Sequence, residues 1–221
     1  MKYIKLQNFE TIIDDLINSI VSKLNSGNAV LLLLSGGSAI DLAAKMGQQL
    51  KDYDLSKLHI TLMDERYGPV GHPGSNWQQL QIAGFKANGA HLYPVLSGRQ
   101  IEKTNAEFSA TLEELFGLGS YVIGLFGMGA DGHTAGLLPG IGSINKTIWS
   151  DYFTGPDFQR ITMTPWSLAK VDQAILYAVG EQKHPALKKL SEKIDVNTQP
   201  VQLLKQIPNV TIYNDYKEGE I

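Results

Sequence analysis

Apolar residues recur at Phe9, Ile12, Ile13, Leu16, Ile17, Ile20, Val21 and Leu24, the 3.6-residue period of a helix with one buried face. Asn8 stands where an N-cap belongs and Gly27 where such a helix should stop. Residues 29–34 are then apolar without alternation. A run this short, followed by glycines, predicts a strand buried on both faces, as in a parallel sheet. The pattern repeats along the chain. It predicts a helix over 40–51 capped by Ser38, a strand over 58–63, a short helix capped by Asn76, and a helix over 101–116. Strands are expected at 121–126, 160–163, 174–179 and 210–213, and a helix over 183–192. Thr164-Pro165 supplies an N-cap with proline in the first turn of a further helix. Alternating strands and helices argue for an α/β fold: a three-layer domain, Rossmann-like and doubly wound, with a mostly parallel sheet between helices. The glycine-bearing stretch 68–74 is too short for a linker, and residues 1–221 read as a single domain.

Composition narrows the function more than the fold. Nineteen Lys plus Arg against 22 Asp plus Glu give a net charge of -3, which offers nucleic acid no general footing. No cysteine is present, so disulfides, thiolate catalysis and zinc-thiolate sites are excluded. The histidines show no paired ligand spacing, and no metal is expected. The first eight residues lack an apolar signal core, and no run approaches a membrane span. A cytoplasmic protein, without membrane or nucleic-acid partners, is the resulting expectation.

In open α/β sheets ligands bind beyond the carboxyl ends of the strands. Three predicted strands end in polar loops. Ser35-Gly36-Gly37-Ser38 joins a buried strand to a helix, where backbone N–H groups and the helix dipole can cradle an anion; an ordinary tight turn is the competing reading. Asp64-Glu65-Arg66 follows the 58–63 strand. Arg66 can grip a phosphate, while Asp64 or Glu65 can orient hydroxyls or hold Arg66; a surface ion-pair cluster is the alternative. Gly127-Met128-Gly129-Ala130-Asp131-Gly132-His133-Thr134 gives an ionisable pair, Asp131 and His133, on a glycine-rich path. Histidine is the usual general base near neutral pH. Arg160 leads a strand, and Lys183 follows another; read alone, Lys183 is an ordinary solvated lysine.

Taken together in order and spacing, these segments resemble the 6-phosphogluconolactonase family and its relatives, the glucosamine-6-phosphate deaminases. The resemblance runs from Ser35-Gly36-Gly37-Ser38 through Asp64-Glu65-Arg66, Ser75-Asn76 and the Asp131-Gly132-His133-Thr134 segment to Pro139-Gly140, Arg160 to Thr164 and Gly180 to Lys183. It implies hydrolysis of 6-phosphoglucono-δ-lactone to 6-phosphogluconate, in the oxidative pentose phosphate pathway, without metal or organic cofactor. His133 would be the general base and Asp131 would shape or polarise the site. Ser35, Gly36, Gly37, Ser38, Asp64, Glu65, Arg66, Gly129, Arg160 and Lys183 would meet the phosphate or the sugar oxygens. The partner implied is a small sugar-phosphate lactone; the chain itself would be a monomer or small homo-oligomer.

The deaminase branch resembles Asp-Gly-His-Ile-Ala-Phe-Asn-Glu-Pro, with a catalytic Glu where this chain has Leu138, and it favours Asp-Glu-Tyr where this chain has Asp64-Glu65-Arg66. Both differences favour a lactonase; a deaminase-like enzyme and a non-catalytic sugar-phosphate binder are the rivals. The chain also departs from the lactonase pattern. Ala39-Ile40 replaces Thr-Pro, which would remove one phosphate contact, and Gly136-Leu137-Leu138 replaces Ser-Leu-Phe. Gly68, Gly71 and Gly74 suggest a more mobile loop after Arg66.

Overall fold

The computed structural model of the chain describes residues 1–141, 146–217 and 219–220. Its centre is β2 (Val30–Leu34), buried at every position, as the unbroken apolar run requires. It pairs in parallel with β3 (Leu58–Leu62) on one side and with β6 (Tyr121–Gly127) on the other. Outward from β3 lies β5 (His91–Tyr93). Outward from β6 lie β9 (Gln173–Ala178), β10 (Asn209–Asn214) and β1 (Lys2–Lys5), all parallel. The short β11 (Gly219–Glu220) closes that edge antiparallel to β1. The sheet order is thus β11-β1-β10-β9-β6-β2-β3-β5, a mostly parallel sheet flanked by helices.

The main helices are α1 (Glu10–Asn25), α2 (Ile40–Gln49) and α4 (Ile101–Gly117). Each buries the apolar face its period predicts, including Ile12, Ile13, Leu16, Ile17 and Ile20 in α1. The N-cap position of α1 is Phe9 rather than Asn8, but Asn8, one residue earlier, still accepts the Thr11 N–H through its Oδ1 at 3.1 Å. Thr164 likewise caps α5 (Pro165–Leu168), accepting from the Ser167 N–H. Among the described residues, no helix is long and apolar enough to cross a membrane.

Several expectations are corrected. A 3-10 turn at Gly37–Ala39 precedes α2, and Ser38 makes no capping bond. Its hydroxyl instead accepts from the Lys183 ammonium at 3.3 Å. The cap of α3 (Asn76–Ile82) is Ser75, not Asn76; the Ser75 hydroxyl accepts the Gln78 N–H. The 183–192 helix shrinks to α6 (His184–Lys189), because bonds of the i to i−3 type close its end at Leu190 and Ser191.

The largest correction concerns residues 64–66 and 160–163. Asp64–Arg66 is not a loop but a strand, β4. It pairs antiparallel with β8 (Gln159–Met163), which pairs with β7 (Ser150–Thr154). This second, three-stranded sheet branches off where the chain leaves β3, with the Met163 N–H donating to the Met63 carbonyl at 2.8 Å.

Glu65 fastens this sheet to α3. It is fully buried, and its carboxylate accepts from the backbone N–H groups of Arg66, Asn76 and Trp77 and from the Ser75 hydroxyl, at 2.6–3.0 Å. Burial pushes its carboxyl above the usual range, against those four donors. Glu65→Ala strands the α3 donors in the interior and should lower the unfolding free energy by about 3 kcal/mol in a urea titration. An unchanged midpoint would mean that this carboxylate does not hold the junction.

Candidate active site

From β2 the chain proceeds outward to β3, whereas from β6 it proceeds outward to β9. The two neighbouring strands therefore flank the point where the winding reverses, and loops leaving it in opposite directions open a crevice. The β2 loop brings Ser35 to Ser38; the β6 loop brings Met128 to Gly136. The three-stranded sheet covers them from the side. Together they enclose a cavity of about 280 Å³. Ser35, Gly36, Gly37, Ser38, Asp64, Arg66, His133 and Arg160 all reach its wall, as do Asn76 and Asp157.

The imidazole of His133 is held by Asp131. Its Nδ1 lies 2.6 Å from Asp131 Oδ1, and the same oxygen accepts the His133 backbone N–H at 3.0 Å. Burial raises the Asp131 carboxyl, but the His133 backbone N–H, its charge and its ring outweigh this and hold the group below its ordinary value. Asp131 is therefore an anion near neutral pH, and it fixes the proton on Nδ1, leaving Nε2 as the bare nitrogen. The ring is 43% exposed, so water can reach it. Asp131 itself stands behind the ring, off the cavity wall.

Two glycines make this arrangement possible. A Cβ on Gly129 would lie 2.1 Å from His133 Cε1, and one on Gly136 would lie 2.5 Å from Asp64 Cβ. Gly129 thus shapes the site by yielding space, without lining the cavity. Gly136, at φ 71°, explains the departure from Ser-Leu-Phe: a side chain there would displace Asp64.

Arg66 and Arg160 face each other directly across β4 and β8. Like charges so placed repel unless an anion lies between or beside them. Carboxylates supply part of that compensation. Asp64 Oδ2 is 3.9 Å from Arg160 Nη1, and Asp157 accepts from Arg160 Nη2 at 3.0 Å through each oxygen. The guanidinium of Arg66 donates to the Gly74 carbonyl and lies 5.3 Å from the Phe158 ring centroid. His72 also bonds the Arg66 carbonyl at 2.9 Å, so the glycine-bearing loop is tied back onto Arg66. Three buried polar atoms in this wall have no hydrogen-bond partner among the described residues: Arg66 Nε, Arg160 Nε and Asn76 Oδ1. Unused donors on two cations suit an anionic ligand.

Lys183 is buried, not solvated, and stands behind Ser38 rather than on the cavity wall. Burial lowers its ammonium pKa, with the Asp215 charge opposing. Glu65 likewise lies off the cavity wall, its carboxylate taken up by the Arg66 N–H and by three donors at the start of α3, so the structure shows it in a structural role. The sequence reading missed Asn76 and Asp157 as wall residues. Asn76 donates to both the carbonyl and Oδ2 of Asp64. For Asp157 the readable signal is the Gly155-Pro156-Asp157 turn three residues before Arg160.

Residues 7–213 match the family model described as glucosamine-6-phosphate isomerases/6-phosphogluconolactonase. The chain belongs to this family. A rice (Oryza sativa subsp. indica) relative named probable 6-phosphogluconolactonase 4, chloroplastic, is 29% identical over 75% of this chain but 57% of its own length. The chain thus spans little more than half of that relative. A 6-phosphogluconolactonase of Borreliella burgdorferi is 26% identical over 77% of both chains. The fold matches the crystal structure of 6-phosphogluconolactonase from Thermotoga maritima with a TM-score of 0.82, 18% identity and coverage of 96% and 97%. A monomeric glucosamine-6-phosphate deaminase fits nearly as well, with a TM-score of 0.80, 18% identity and 97% of each chain. Within this family, then, backbone shape does not separate the two chemistries, and the side chains must.

Two outcomes follow from the geometry. Gly129→Ala should turn the imidazole off Asp131 and lower kcat at least tenfold with a smaller change in KM; steady-state kinetics that match the parent would contradict the packing argument. Asp64 gives a pH signature. Its burial, the largest effect, lifts its carboxyl pKa against the charges of Arg160, Arg66 and His133 and the Asn76 amide. The folded state therefore holds that proton more tightly than the unfolded chain. The stability it contributes is full below the unfolded pKa and is lost as pH rises through the folded one. Asp64→Asn should thus gain stability relative to the parent as pH rises from about 3 to 7. Chemical denaturation showing a pH-independent difference would contradict this.

Proposed function

We propose that the protein hydrolyses 6-phosphoglucono-δ-lactone to 6-phosphogluconate. The observation that carries the reading is His133, held by Asp131 behind it, on the wall of a cavity whose other side bears two opposed arginines. Relatives named 6-phosphogluconolactonase support it. A lactone is an activated ester, so a water molecule needs only modest help. Nε2 of His133 takes a proton from that water as its oxygen attacks the ring carbonyl. The imidazolium formed is stabilised by the Asp131 anion at Nδ1. Collapse of the tetrahedral adduct breaks the ring C–O bond, and the proton returns from His133 to the departing ring oxygen. The product is an open carboxylic acid, which ionises.

The phosphate belongs at the cationic side, between the Ser35 to Ser38 loop and Arg160. Backbone N–H groups, the Ser38 hydroxyl and the Lys183 charge behind it support an anion there. Holding the phosphate fixes the remote end of the substrate, and that binding energy orients the reacting carbon. The substitution of Ala39-Ile40 for Thr-Pro leaves these donors in place. Ala39 and Ile40 are buried, so the pair contributes packing rather than a polar contact.

Leu138 argues against the deaminase reading. The position where that branch carries a catalytic carboxylate here holds an aliphatic side chain facing the β7–β8 turn; a Cβ on Gly155 would lie 3.6 Å from its Cδ1. The assay is acceleration of 6-phosphoglucono-δ-lactone opening above the spontaneous rate. His133→Ala should cut turnover by roughly 10²–10⁴-fold, and Arg66→Ala should mainly raise KM. Ammonia release from glucosamine 6-phosphate, or binding of 6-phosphogluconate without acceleration, would overturn the proposal.

A further inference from the structure

The β7–β8 connection is the four-residue turn 155–158, closed by the Gly155 N–H on the Phe158 carbonyl at 2.8 Å, with Pro156 and Asp157 at its tip. Proline fixes the first turn position, so the backbone is set before any ligand arrives. The tip touches both arginines of the site. Phe158 lies beside Arg66, and Asp157 meets Arg160. Both Asp157 oxygens contact the same nitrogen, Nη2, at 3.0 Å. The guanidinium fork is therefore only half used: Nη1 has Asp64 at 3.9 Å, and Nε has no hydrogen-bond partner among the described residues. Arg160 is held in the wall with its side chain 12% exposed, whereas the Asp157 side chain is 48% exposed. Such a half-exposed, single-nitrogen pair is weak. The Phe158 N–H, 3.0 Å from Asp157 Oδ1, offers the carboxylate another partner on its own turn.

We propose that Asp157 is an internal competitor for the anion seat: its carboxylate occupies Arg160 in the free protein and is exchanged for phosphoryl oxygens when substrate binds. The inference rests on the phosphate placement given under Proposed function. Phosphoryl oxygens can engage Nη1 and Nη2 together, which a carboxylate on one nitrogen does not. The Asp157 carboxylate, held below its ordinary pKa by Arg160 despite partial desolvation, stays ionised at neutral pH and so competes at full charge. Asp157 thus sets how much anionic charge a ligand must bring. A phosphate dianion displaces it, whereas an uncharged sugar lactone leaves the pair closed.

The test is calorimetric titration of inorganic phosphate at low salt into the parent protein, Asp157→Asn and Asp157→Ser. Both variants should bind phosphate roughly five- to thirtyfold more tightly, the effect of removing one charge beside a partly exposed cation. The KM for the phosphorylated lactone should fall in the same sense. Equal or weaker binding in both variants would overturn the proposal and make Asp157 a support that holds Arg160 in place. Arg160→Ala separates this from the seat itself. If the parent and Arg160→Ala bind phosphate equally, the seat placement fails, whatever Asp157 does. If Arg160→Ala loses binding while the Asp157 variants gain nothing, the seat stands and only the competitor falls.

Discussion

One carboxylate oxygen accepts both the ring and the backbone N–H of the same histidine, and the chemistry proposed for this protein depends on that contact. In that proposal it sets the tautomer of His133, the direction of its free nitrogen and the stability of the cation that would form when that nitrogen takes a proton. Neither residue is buried deeply, so the precision has to come from the loop. The 127–136 segment supplies it by bonding to itself: Gly129 N–H to His133 carbonyl, Gly132 N–H to Gly129 carbonyl, Thr134 hydroxyl to Gly127 carbonyl. Ala135 is held at φ 49°, a conformation that costs a non-glycine residue roughly 1 kcal/mol or more. Its carbonyl is fixed by the Thr162 hydroxyl at 2.6 Å, which ties the histidine loop to the arginine strand.

The opposite wall follows a different logic. Arginines placed face to face, a buried aspartate and a fully buried glutamate all oppose folding on their own. They persist because each is paired with the next: Glu65 with the start of α3, Asn76 with Asp64, Asp64 and Asp157 with Arg160. The cavity is thus charged but nearly balanced before ligand arrives. Under the proposed binding mode an anion would exchange partners rather than create charge in an empty pocket, which limits the desolvation cost.

Much of this could be read in the chain because the β2 and β6 loops are contiguous. Gly-rich runs after apolar strands declare both the turn and the chemistry within a few residues, and the parallel sheet follows from the same runs. The second sheet could not be read. β4 is three residues long and made of charged side chains, and its partner β8 comes far later in the sequence; neither alternation nor length betrays it. Glu65 consequently reads as a ligand contact, since nothing local shows that α3 turns back onto it. Lys183 looked like a surface lysine because its burial depends on the approach of Ser38 from another part of the chain. Asn76 looked like a cap because Ser75, one residue earlier, has the same propensity.

The most direct measurement is a crystal structure with 6-phosphogluconate bound. The product carboxylate is expected within hydrogen-bond reach of His133 Nε2, with Nδ1 still on Asp131, and the phosphate at Arg160 and the Ser35 to Ser38 loop. A sugar bound the other way round, with phosphate at His133 and the carboxylate at the arginines, would contradict it.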